Sequence, residues 1–346
     1  MTSNIKDVAT KAGVSPSTVS RVLANHPRIS VATRERVRDV MRELDYHPNA
    51  IARSLVKQSS QAIGLLIPSS IEQFFLNPFF PEVLRGITQI AQYSGYDIVL
   101  STALHGKNDV DRLERMVRSK QVDGVILLTA RLNDPLFAVL EENHIPSVVV
   151  GRPSQDVQLC WVNNDNRRAA YDTTMHLQKL GHQRIGFIGG SQELVVTVDR
   201  LAGYSSALQE QGVTFDPNLV VSGEFIEDVG YNGMMRLLAL AERPSGIVAS
   251  DDVLAFGAMR AAGELGYRIP EDLAIVGFND IPLARLANPP MTTMNVHIYE
   301  LGQTAAKLLL QHIEKRELPP QSAIVPHELV IRRTCGAWNP LAAYQQ

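Results

Sequence analysis

Several side chains in this sequence stand where planar polar groups and aromatic faces could meet a polyhydroxylated ligand, just beyond short apolar runs. Asn77-Pro78-Phe79-Phe80 follows the run Ile63 to Ile67, Arg152 follows Val148 to Gly151, and Phe225 follows Val220 to Gly223. Asp251-Asp252 follows Ile247 to Ala249, Asn279-Asp280 follows Ile275 to Phe278, and Asn164-Asp165 and Asp199-Arg200 stand where helices are expected to begin. Amides, carboxylates and guanidinium groups pair with hydroxyls, while phenyl rings cover the apolar side of a sugar ring. Structural duties compete for the same residues: Asp251 can cap a helix, Asn279 can serve a turn, and Phe79 and Phe80 can fill a core. Arg200 is the hardest to explain this way, because a basic group at a helix N-terminus opposes the helix dipole.

Catalysis finds no such constellation. Gly186-Phe187-Ile188-Gly189-Gly190 does not give the dinucleotide glycine pattern, and neither the phosphate-binding loop nor the nucleophile elbow occurs, so no enzyme and no cofactor are expected. His176 and His182 lack the i, i+4 spacing of a helical metal site, and no metal is expected. Cys160 and Cys335 have neither metal nor redox spacing and read as two unpaired thiols.

The elements that must position the ligand-facing groups form a long series. Short apolar runs alternate with amphipathic segments such as Val83, Ile87, Ile90 and Ala91 from Ala62 onward, a βαβα pattern that implies parallel sheets with crevices beyond the carboxyl ends of the strands. The series divides into two halves, so two similar lobes with a cleft between them are expected. Ahead of it, Asn4 and Asp7 make a capping box for a helix from about Ile5 to Ala12, Gly13 ends it, and Ser15-Pro16 opens a second helix with Val19, Val22 and Leu23 inside. Ser30 caps a third, Val31 to Leu44. Two short helices joined by a glycine turn make a helix-turn-helix.

The 346 residues, 45% hydrophobic and 20% charged, suit two or three folded units. No apolar run is long enough to span a bilayer and the first residues lack a secretory apolar core, which predicts a cytoplasmic protein without membrane contact. Charge is unevenly placed. Residues 1–57 hold ten basic and five acidic side chains, a net of +5, leaving 23 basic and 31 acidic in the rest, a net of −8. A basic head on an acidic body suggests a polyanion-binding module attached to something that binds none.

The string IKDVATKAGVSPSTVSRVL from Ile5 to Leu23, with Thr33-Arg34-Glu35-Arg36-Val37 and the run Tyr46-His47-Pro48-Asn49-Ala50-Ile51-Ala52-Arg53-Ser54-Leu55, closely resembles the headpiece of the LacI/GalR family. The resemblance implies a second helix lying in the major groove with Pro16, Ser17, Thr18 and Arg21 towards DNA. Pro16 has no donor, so Ser17 and Arg21 should carry direct readout. It implies a hinge in which Leu55 wedges into a minor-groove base step, Ala52 lets paired helices approach, and Asn49 and Arg53 make polar contacts.

For the body, the resemblance implies a two-lobed, periplasmic-binding-protein-like α/β core of parallel sheets with three lobe crossings. The expected limits are a headpiece at 1–47, a hinge and linker at 48–60, and a core at 61–340. Within the core the N-lobe takes 61–162 plus 294–324 and the C-lobe 163–293 plus 325–340. Effector contacts then fall on Phe79, Phe80, Arg152, Arg200, Phe225, Asp251 and Asn279. The segments NPFFPEVLRGI, VGFNDIPLA and IYELG look most like maltose-type regulators. A homodimeric repressor of a maltose- or maltodextrin-like operon follows, released from a pseudo-palindromic operator by a small sugar. The runner-up is a catabolite-control regulator answering to a phosphoprotein corepressor, and a sugar-binding transport protein stands behind that. The residues after Cys335 are too few for a tetramerising coiled coil.

Overall fold

The computed structural model describes residues 4–23, 25–46, 59–67, 71–102, 108–154 and 157–337. At the N-terminus, α1 (Ile5–Ala12), α2 (Pro16–Leu23) and α3 (Val31–Glu43) enclose a small core of Val8, Ala9, Ala12, Val19, Val22, Val37 and Val40. The capping box forms as its residues dictate: Asn4 Oδ1 accepts from the Lys6 and Asp7 amides, and the Asp7 carboxylate accepts from the Asn4 amide at 2.8 Å. Gly13 closes α1 in the left-handed region at φ 64°, where a side chain would be strained. Ser15 Oγ accepts from the Thr18 amide, capping α2 behind Pro16.

The body holds two six-stranded sheets. The first uses β1 (Ala62–Ile67), β2 (Asp97–Thr102), β3 (Gly124–Leu127), β4 (Ser147–Val150) and β5 (Cys160–Asn163), with α4 (Ile71–Leu76), α5 (Phe79–Tyr93), α6 (Asn108–Arg118) and α7 (Pro135–Glu142) between them. The second follows α8 (Asn166–Lys179) with β6 (Ile185–Gly189), α9 (Val195–Glu210), β7 (Val220–Ser222), α10 (Glu227–Leu238) and β8 (Gly246–Ala249). It continues through α11 (Asp252–Glu264), β9 (Ala274–Asn279) and β10 (Thr292–Asn295). The chain then returns to the first lobe with α12 (Ile298–Glu314) and β11 (Ser322–Ile324), and ends in the second with β12 (Glu328–Val330).

The sheet orders are β11-β5-β4-β3-β1-β2 and β12-β10-β9-β8-β6-β7, parallel except where β12 meets β10. Each order places β1 or β6 at the point where the winding reverses, so loops after the strand ends open towards the other lobe. The chain crosses between lobes after Asn163, Asn295 and Ile324. Met294 and Asn295 pair with Phe278 and Asn279 in the second sheet, two residues beyond the expected change of lobe. Among the described residues no helix is long and apolar enough to cross a membrane.

One expected helix start moves. Asp199-Arg200 was placed at an N-terminus, but α9 begins at Val195, so Arg200 sits in its second turn and the dipole argument does not apply to it. Val195 and Val196 read as a strand-like pair, and no side chain caps the helix there, which hid its start.

Close helix packing in the second lobe depends on glycine. A Cβ on Gly257 of α11 would stand 2.0 Å from the Glu227 carbonyl oxygen at the head of α10, and one on Gly230 of α10 would stand 2.0 Å from the Leu254 carbonyl oxygen. Gly263, one and a half turns on, has open space around its Cβ position. Gly257→Ala should therefore cost about 1–3 kcal/mol in urea unfolding, as overpacking does. Gly263→Ala should be neutral or stabilise by up to about 1 kcal/mol, through the loss of unfolded-state freedom. Equal midpoints for the two variants would contradict this packing.

Candidate functional site

Two surfaces concentrate the groups singled out in the sequence. In the headpiece, Val19 and Val22 turn α2 inward, leaving Pro16, Ser17 and Arg21 exposed and Thr18 half-buried. Ser15 Oγ lies 2.8 Å from Ser17 Oγ and 2.9 Å from Thr18 Oγ1, so a hydroxyl cluster stands at the helix start. Neighbouring basic groups are tied down, Lys11 to Glu43, Arg38 to Asn25 and Arg42 to Asp39, while Arg21 has no ion pair among the described residues. Asn49, Ala52, Arg53 and Leu55 lie outside the described residues, as does the expected hinge helix.

The second surface is the cleft between the lobes, enclosing about 1190 Å³ counted to its open mouth. Phe79, Phe80 and Arg152 line it from the first lobe, and Arg200, Phe225, Asp251 and Asn279 from the second, so all seven expected residues meet there. Parallel winding brings them together: Arg152, Phe225 and Asp251 lie just beyond strand ends and Asn279 at the end of β9, while Phe79 and Phe80 open α5 and Arg200 stands in the second turn of α9. The lobes already touch. Asn77 Nδ2 donates across the cleft to Asp251 Oδ2 at 3.2 Å, the Val195 amide donates to the Ala130 carbonyl at 3.1 Å, and the Leu132 amide to the Glu193 carbonyl at 2.8 Å.

Arg200 is 5% exposed, and burial pushes its guanidinium down to about 10, opposed by the nearby carboxylates of Asp251, Asp252 and Asp199. It stays a cation at neutral pH. Its Nε donates to Asn166 Oδ1 at 2.8 Å, Nη1 donates to the Ser250 carbonyl, and the guanidinium lies 3.8 Å from the centre of the Phe278 ring. Asp251 caps a helix and also ties the lobes together. Its Oδ1 accepts from the Val253 amide at 2.7 Å as the N-cap of α11, while Oδ2 accepts from Asn77 and from Asn279 Nδ2 at 2.8 Å. Burial raises its carboxyl to about 6, although these bonds and Arg200 pull the other way.

Asn279 occupies the positive-φ region at 109°, and its buried Oδ1 has no hydrogen-bond partner among the described residues. Strain and an unmet acceptor at one residue facing a cleft mark a place for a ligand donor. Phe225 packs its ring against the backbone of Gly190, where a Cβ would come within 2.3 Å of it, leaving the ring as a flat wall. Phe79 and Phe80 meet edge to face at 5.4 Å, and Phe80 stacks on Phe74, so this pair belongs to cleft and core together.

Arg152 stands in the cleft as expected and is also bound across it. Its Nε and Nη2 both donate to the Asp199 carboxylate of the opposite lobe, Nε at 2.8 Å, and that bond raises its pKa. Asp252, the neighbour of Asp251, faces away: its oxygens accept from Thr293 Oγ1 at 2.6 Å and the Ile281 amide at 2.9 Å, joining α11 to β10 and the end of β9. Asn166, Ser191, Glu193, Val195 and Glu224 also line the cleft and were not singled out. The signal for Asn166 was present, two residues after Asn164; the loops at 191–194 and 224 and the uncapped start of α9 carry no pattern that precedes lobe packing.

Comparison with known proteins extends these observations. Residues 4–49 match the model of the bacterial regulatory proteins of the lacI family, and residues 174–335 match that of the periplasmic binding protein-like domain. The chain is similar to the HTH-type transcriptional repressor CytR of Escherichia coli strain K12, 36% identical with 96% of each chain covered. It is also similar to the HTH-type transcriptional regulator MalR of Streptococcus pneumoniae strain TIGR4, 38% identical over 94% of this chain and 98% of the other. Among solved structures it resembles the complex of the regulator CelR with cellobiose, at a TM-score of 0.75 and 33% identity, covering 96% of this chain and 99% of the other. It resembles the lac repressor dimer bound to operator and the anti-inducer ONPF at a TM-score of 0.86 and 27% identity, covering 97% and 99%. A helix-turn-helix head, two parallel-sheet lobes and full-length likeness to such regulators agree: the chain belongs to the lacI family and is a DNA-binding transcriptional regulator.

Proposed function

We propose that this regulator is a homodimeric repressor that binds a pseudo-palindromic operator through α2 and the segment after it, and that a small sugar in the inter-lobe cleft releases it. One observation carries the sugar reading. The cleft sets the unmet acceptor of Asn279 beside a buried carboxylate, a buried guanidinium and the flat ring of Phe225, which together suit vicinal hydroxyls on one side of a ring and C–H groups on the other. The likeness to the cellobiose complex of CelR supports a saccharide, and a maltose-like sugar, towards which the segments NPFFPEVLRGI, VGFNDIPLA and IYELG point by resemblance, is the one we propose. A phosphoprotein corepressor is the second reading, and the formed cleft favours a small molecule over it. Two copies of the head would read the two halves of such an operator.

Sugar binding is tested by thermal shift across a panel of mono- and disaccharides, since a ligand selective for the native state raises Tm. A shift with maltose or a related disaccharide is expected, and its absence in Arg200→Ala with operator binding retained; a variant that responds normally would remove Arg200 from the site.

The same site has a pH signature. Asp251 ionises at about 6 in the folded chain, above its usual value, so below that pH it is protonated and loses acceptor capacity for a hydroxyl. Sugar affinity should hold above pH 7 and fall as pH drops below 6, by at most about tenfold per unit for one linked proton. Calorimetry at pH 5 and 7.5 showing equal affinities would contradict a carboxylate contact.

For the head, Arg21→Ala should cost about 1–3 kcal/mol and relax sequence preference at one position per half-site. A uniform loss across operator variants would place Arg21 on phosphate.

A further inference from the structure

The three crossings between the lobes meet at one side chain. Asn164, in the first crossing and 3% exposed, donates from Nδ2 to the Val296 carbonyl of the second crossing at 3.0 Å and to the Val325 carbonyl of the third at 2.9 Å. The Pro326 carbonyl stands 3.3 Å from the same nitrogen. An amide nitrogen carries two hydrogens, so three acceptors compete for them. With Val296 holding one hydrogen, Val325 and Pro326 are alternative acceptors for the other.

A chain of hydrogen bonds runs from this junction into the cleft. Asn163 Oδ1 accepts from Asn166 Nδ2 at 2.9 Å, the same nitrogen stands 3.3 Å from the Asn164 carbonyl, and Asn166 Oδ1 accepts from Arg200 Nε at 2.8 Å. Asn164 also lines the cleft itself. Every step is buried, so a displaced partner cannot be replaced by bulk water without cost.

We propose that Asn164 is the positioning residue that couples the cleft to the angle between the lobes: a ligand that draws on Arg200 shifts Asn166 and the first crossing, and Asn164 passes the shift to the other two crossings. This rests on the reading of the cleft as the effector site. Coupling of this kind needs an element with two discrete arrangements, and the three-acceptor junction supplies it.

The test uses the full chain in two arms. Asn164→Asp keeps the side-chain shape and removes both donors; Asn164→Ser removes the reach without burying a charge, and covers the case in which the first variant fails to fold. In the first arm, dyes on Glu142→Cys and Gln209→Cys, exposed positions in opposite lobes, report the lobe-to-lobe distance by energy transfer without any sugar, the native thiols being buried. A broader distance distribution than in the parent is expected; an unchanged one overturns the proposal. In the second arm, operator affinity is titrated with maltose and with cellobiose. The factor by which the bound sugar weakens operator binding should fall about fivefold or more, within the usual range of coupling energies. Because Asn164 lines the cleft, sugar affinity is measured for each variant and the factor is read only at saturating sugar, where a weaker site no longer counts. An undiminished factor at saturation overturns the proposal. If neither sugar binds the parent chain, the effector reading fails for these ligands and the sugar-free arm still decides the role of Asn164.

Discussion

A guanidinium buried between two lobes is the constraint around which the rest of the body is arranged. Removing such a charge from water costs several kcal/mol unless bonds and opposite charges replace hydration. Around Arg200 they do: the amide of Asn166, the carbonyl of Ser250, the face of Phe278 and the carboxylates of Asp251 and Asp252 come from α8, the β8–α11 turn, β9 and α11. Those elements cannot shift independently without leaving a charge unmet. Asp251 is bound into the same set, and it also takes a bond from Asn77 of the opposite lobe, so the polar floor of the cleft is shared between the lobes.

On the proposed reading, this arrangement makes the cleft responsive. The lobes are held by a few polar contacts, Arg152 to Asp199, Asn77 to Asp251 and two backbone bonds near Ala130 and Leu132, together with three chain crossings. Arg152 is partly exposed, and its pair is worth little once screened by water, whereas the buried bonds at Asp251 weigh more. A ligand offering hydroxyl groups to Asn279 and Asp251 competes with contacts of modest strength and so can select one lobe arrangement over another.

Much of this was legible in the sequence, for identifiable reasons. Helices α1 to α3 carry their own caps, Asn4, Gly13, Ser15-Pro16 and Ser30, so their limits are local properties and appear where expected within a residue. Strands such as Val148 to Val150 are uniformly apolar because they are buried on both faces. The edge strands β11 and β12 and the polar β10 lack that pattern: Thr292 and Thr293 are buried, but their hydroxyls are satisfied by Arg332 and Asp252 from distant parts of the chain. Residue types at strand ends marked the cleft, but which atoms meet across it was not readable. The pairing of Arg152 with Asp199 and the three acceptors around Asn164 Nδ2 bring together residues 47 to 162 positions apart, and only the packing of two lobes does so.

The position of a bound sugar is the most direct measurement. A crystal structure of the chain with a sugar that raises its Tm should place a ring in the inter-lobe cleft, with a hydroxyl donating to Asn279 Oδ1 at about 2.7–3.0 Å and another in reach of Asp251. One face of that ring should lie on Phe225. Sugar density elsewhere on the molecule, with Asn279 Oδ1 still unmet and the Asn77–Asp251 and Arg200–Asn166 bonds undisturbed, would contradict it.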